Sequence, residues 1–90
     1  MPTQPQATAA PPVEALLSEV FATLAFAAHA YLAASNEGAD GADLGAAELA
    51  IDIAGKTFER LEPRLSTEER AAMASMLTDL RMTFVRKRGL

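Results

Sequence analysis

The chain has 90 residues, enough for one domain at most. Half of it is nominally hydrophobic, yet 20 of those residues are alanine and only five are aromatic, which excludes a deep multilayer core and argues against a catalytic cleft in a lone subunit. The absence of cysteine and the single histidine exclude disulfides, thiolate metal sites and the usual zinc ligand sets, and a net charge of −4 argues against a dedicated nucleic-acid binder.

Residues 1–11 carry three of the five prolines and have no apolar period. They are expected to be a disordered tail, leaving 12–90 as a single helical domain. Pro11 and Pro12 stand where a helix can begin, because proline at the first helical position forfeits no hydrogen bond.

A first helix is expected over 12–35. Val13, Leu17, Val20, Leu24, Ala27 and Tyr31 step by four, three, four, three and four, a heptad-like seam. Leu16, Phe21, Ala28 and Leu32 widen that seam, and Phe26 lies off to one side. From residue 20 onward only Thr23 and His29 interrupt the apolar character. A helix apolar nearly all round must be covered on more than one face. Its most apolar run, Val20 to Ala34, is 15 residues, shorter than the ~20 that cross hydrocarbon. Glu19, Glu37 and Asp40 flank it, and no Lys or Arg precedes Lys56 to orient a span or open a secretory signal. The expectation is a soluble, cytoplasmic protein, with membrane association not expected.

Residues 36–43, Asn-Glu-Gly-Ala-Asp-Gly-Ala-Asp, form a break rich in glycine and acid. A calcium loop opening at Glu37 would place Glu48 at its twelfth position, but its third and fifth positions are Ala39 and Gly41, so two early ligands are missing. A solvated loop is the better reading. Asp43 is expected to cap the next helix through its carboxylate. A phosphopantetheine carrier would need a serine at that helix start, where Leu44 and Gly45 stand.

A second helix is expected over 44–61, with Leu44, Ala47, Ile51, Ala54, Phe58 and Leu61 as its apolar stripe. Glu48, Asp52, Lys56, Glu59 and Arg60 fall opposite, with Asp52 and Lys56 one turn apart in the favourable order. Gly55 in mid-helix costs roughly 1 kcal/mol relative to alanine, and close helix–helix approach is its expected reason. Pro63 stops the helix near Glu62.

The third helix has the clearest start. Ser66-Thr67-Glu68-Glu69 is a capping box. Met73, Met76, Leu77, Leu80 and Phe84 form its stripe, and Gly89 ends it. Arg81, Arg86, Lys87 and Arg88 are expected to complement the helix dipole rather than grip nucleic acid or lipid. Charge is split along the chain, −7 over residues 1–62 and +3 over 63–90, and pairing within the fold is the expected use.

Several segments together resemble a known family. Ala47-Glu48-Leu49-Ala50-Ile51-Asp52, then Lys56-Thr57 with Leu65-Ser66-Thr67-Glu68-Glu69, and above all Leu77-Thr78-Asp79-Leu80-Arg81-Met82-Thr83-Phe84-Val85, are similar to motifs of the bacterial domain-of-unknown-function family 1844. Phe21-Ala22-Thr23-Leu24 and Ala28-His29-Ala30-Tyr31-Leu32 resemble its first helix. The chain departs from the family at Glu62-Pro63-Arg64, where a Gly-Asn pair is usual, and at Ala33, where glycine usually follows the leucine. The resemblance covers about residues 15 to 86 and implies a small helical bacterial protein with no activity attached.

The expected fold is all-α, a three-helix antiparallel arrangement completed by oligomerisation. No cofactor, metal site or catalytic residue is expected. His29 has only Ala25 and Ala33 one turn away, so it lacks the second group that a base or metal ligand needs. The expected function is self-association, most simply a two-fold dimer through Val20, Phe21, Leu24, Phe26, Ala28, Tyr31 and Leu32. The alternative is an accessory subunit that docks this helix into another protein of a larger complex, whether membrane-associated or not.

Overall fold

The computed structural model describes residues 10–35 and 43–89. Helix α1 spans Val13–Ser35, α2 spans Leu44–Leu61 and α3 spans Thr67–Gly89, with a short 3-10 turn over Glu62–Arg64 between the last two. No strand occurs among the described residues. The expected tail lies outside them except for Ala10 and Pro11, and so does the loop up to Ala42.

Each boundary has a local cause. Pro12 opens α1, and its carbonyl accepts from Ala15 N–H at 3.0 Å. Asp43 opens α2 differently from expectation. Its side chain makes no capping bond; the backbone carbonyl serves instead, accepting from Ala47 N–H at 2.9 Å. Pro63 ends α2 one residue after Glu62 and tightens the chain into the 3-10 turn. The capping box of α3 forms in both directions. Ser66 N–H donates to Glu69 Oε1 at 2.9 Å and Glu69 N–H donates to Ser66 Oγ at 3.1 Å, which satisfies two donors the helix start would otherwise leave open.

The helices run antiparallel in sequence. Glu14 at the start of α1 pairs with Arg64 beyond the end of α2, and Gly45 near the start of α2 shares a groove with Val85 near the end of α3. One core joins them. It is built from Phe21, Ala25, Ala28 and Leu32 of α1, Ala47, Ala50, Ile51 and Ala54 of α2, and Leu77 and Leu80 of α3. Leu24, Leu44, Phe58, Met73 and Phe84 pack on its margin, with the Phe21 and Phe58 rings 6.3 Å apart and tilted. Half of the ten buried core residues are alanine, so α1 and α2 lie close and bury little area per residue.

The stripe expected for α2 is the one the fold uses. That of α3 needs one change: Met76 is largely solvent-exposed, and Leu77 and Leu80 carry the burial. For α1 the difference is larger. The heptad seam Val13, Leu17, Val20, Leu24, Ala27 and Tyr31 is not the buried face. The buried face is Phe21, Ala25, Ala28 and Leu32, about a quarter turn further round at 3.6 residues per turn. Both rows have the spacing of a helix seam, and the second holds the larger anchor, Phe21.

Candidate interaction surface

The residues expected to form an interface separate into three groups. Phe21, Ala28 and Leu32 are 2%, 0% and 2% exposed. They are satisfied within the chain and are corrected here from contact residues to core. Leu24 is half-buried at the core margin. Val20, Phe26 and Tyr31 are exposed. Phe26, at 76%, projects from a different side of α1 than Val20 and Tyr31.

Around the exposed group the structure adds neighbours that the seam alone does not show. Val13, Leu16 and Val20 stay 43–46% exposed along the first half of α1. An open apolar groove beside them is lined by Leu16, Glu19, Val20, Thr23, Leu24 and, from α2, Ile53. Ile53 went unnoticed in the sequence. With Leu49 one turn earlier it puts two large apolar side chains on the side of α2 that otherwise carries charge, and that pairing was the available signal.

A second groove lies between α2 and α3. Gly45, Glu48, Leu49, Ile51 and Asp52 line one side, and Arg81, Phe84 and Val85 the other. Leu49 and Val85 are each more than half exposed here. Gly55 sits in this region too. A β-carbon built on it would meet the Arg81 guanidinium, whose Cζ would lie 3.7 Å away. What approaches Gly55 is thus a side-chain end rather than a helix backbone.

Charged groups make few contacts. Among the described residues the ion pairs are Asp52 with Lys56, at 3.9 Å and well exposed, and Glu14 with Arg64. The second ties the negative part of the chain to the positive part. It also gives a use to Arg64. The Glu14 carboxyl is held below its ordinary pKa, first by its own backbone N–H and next by Arg64. On α3, Arg86 donates to Thr83 Oγ1 at 3.3 Å and Arg88 stacks over the Phe84 ring at 5.4 Å. His29 is exposed on α1. No three His, Cys, Asp or Glu side chains gather to hold a metal among the described residues. Of the acidic cluster weighed for calcium, Glu37 and Asp40 lie outside the described residues.

The sequence model for a domain of unknown function (DUF1844) matches residues 14–86, from the second residue of α1 nearly to the end of α3. The chain belongs to the DUF1844 family. The match takes in both faces of this DUF1844 domain. No curated protein and no solved structure matches it.

By length and composition, one helix of the DUF1844 domain also suffices to cross a membrane. The stretch is Val13–Ala33, 21 residues, and 22% of its apolar window is buried within the chain. The run expected from the sequence alone, Val20 to Ala34, starts later and is shorter.

Proposed function

We propose that this DUF1844 protein is a cytoplasmic, self-associating helical module without enzymatic activity, most simply a two-fold dimer in which the outer seam of α1 packs on its symmetry mate. The observation that supports it is the pair of seams on α1. One seam is used inside the chain. The other, Val13, Leu17, Val20, Leu24, Ala27 and Tyr31, keeps the alternating spacing of four and three that knobs-into-holes packing requires. Val13 and Val20 of this seam, with Leu16 beside them, remain nearly half exposed, and Ile53 lies along its edge. A small alanine-rich core favours the same arrangement, since a chain of this size rarely gains more than ~3–5 kcal/mol from its own interior.

Sedimentation of the purified chain tests the reading. The chain is expected to self-associate at micromolar concentration, and Val20→Glu weakens that association by placing a charge in the seam while leaving the helical content unchanged. A wild-type chain that sediments as a 9.5 kDa monomer ends the proposal.

A second reading makes the protein an accessory subunit that docks α1 into a larger, membrane-associated assembly. The length and apolar character of Val13–Ala33 favour it. A pull-down from the native cell separates the two, because a self-contained homodimer brings down no stoichiometric partner.

A further inference from the structure

We propose that the groove between α2 and α3 is a second docking surface for another copy of this chain, self-complementary in charge. It does not rest on the α1 contact, which uses a different face. The groove has an acidic wall, Glu48 and Asp52 of α2, and a basic wall that begins at Arg81 of α3. A neighbouring hollow lined by Arg81, Met82, Val85 and Arg86 extends the basic side, and Arg88 is held beside it on the Phe84 ring. Between the walls runs an apolar strip of Leu49, Phe84 and Val85. Among the described residues no carboxylate of α2 pairs with a guanidinium of α3.

A patch with acid on one side, base on the other and apolar residues between them is its own complement under a two-fold rotation. Rotation about an axis through the strip lays the α3 of one copy over the α2 of the other. Glu48 and Asp52 then face Arg81 and Arg86 twice, and Leu49, Met82 and Val85 close on their equivalents. Exposed ion pairs contribute little each, so the strip supplies most of the affinity and the charges set register and partner choice. The occupant is therefore a second copy rather than a chain with a single sign of charge, which would leave one wall opposed by like charge.

The test uses the full chain with Val20→Glu as background, so that the α1 contact is blocked. Sedimentation equilibrium is run at low and at high salt. The background chain is expected to dimerise at both, more weakly at high salt, as the screening length falls from about 10 Å at 0.1 M to about 3 Å at 1 M. Glu48→Lys with Asp52→Lys, and separately Arg86→Glu with Arg88→Glu, each weaken association roughly tenfold or more. An equimolar mixture of the two variants restores it, because each supplies the wall the other reversed. Leu49→Glu, at a side chain 62% exposed, weakens it without loss of helical circular dichroism and serves if a double variant fails to fold. A monomeric background chain, reversed variants that associate as well as the background, or a mixture that does not recover overturns the proposal. Failure of the α1 contact reads out separately, as a Val20→Glu chain that associates no more weakly than wild type.

Discussion

The end of the Arg81 side chain lies where residue 55 would carry its β-carbon if it were not glycine. The hole at Gly55 is therefore filled by a flexible cation that can swing away, not by rigid backbone. Alanine in a helix interior is worth roughly 1 kcal/mol more than glycine, and the exposed Arg81 contact offsets only part of that. Gly55→Ala is expected to raise unfolding free energy by about 0.5 kcal/mol, and by more in an Arg81→Ala background. Urea melts of the four chains in that cycle check it. A Gly55→Ala chain less stable than wild type by 1 kcal/mol or so would show that the helices themselves meet at this point.

Phe21 and Phe26 are five residues apart and should respond oppositely to truncation. Phe21 anchors the core, so Phe21→Ala costs about 3–4 kcal/mol. That is most of what a chain this small has, and the variant should be largely unfolded at room temperature by circular dichroism. Phe26 is 76% exposed, and Phe26→Ala should stay within about 0.5 kcal/mol of wild type.

The capping box makes a local forecast. Removing the Ser66 hydroxyl leaves Glu69 N–H without its partner. Ser66→Ala is expected to cost about 1 kcal/mol, while Ser66→Asp retains most of the stability. Thermal melts at neutral pH distinguish them.

Acid should find the clasp between Glu14 and Arg64. The folded-state pKa of Glu14 is lowered by its own backbone N–H and by Arg64. A lowered carboxylate pKa contributes stability that is present above the unfolded value and lost as pH falls through the folded one. Glu14→Gln should therefore lower stability at neutral pH and flatten its decline below the ordinary glutamate range. Equal acid slopes for wild type and variant, in melts from pH neutrality into that range, would refute the assignment.

The helix limits were legible in the sequence because each rests on backbone chemistry: Pro12, Pro63 and the Ser66–Glu69 box all act within a turn. The stripe of α2 was legible because charge marks its other side. The buried face of α1 was not. Two rows of apolar residues lie a quarter turn apart on that helix, and no charge beyond Glu14 and Glu19 labels either as outer. Spacing favoured the row through Val20, whereas Phe21 and the alanines that let α2 approach decided for the other. The interface forecast inherited the error at Phe21, Ala28 and Leu32. Asp43 misled for a simpler reason, since a residue type suited to capping does not oblige its side chain to bond.

The three alanines with no exposed surface at all, Ala28, Ala47 and Ala54, stand among the core residues where α1 meets α2. A methylene added there has nowhere to go except between two rods already in contact, and overpacking of that kind costs about 1–3 kcal/mol. Sequence drift in this scaffold is thereby steered outward. Its interior is closed to enlargement, and novelty accumulates on the exposed flanks.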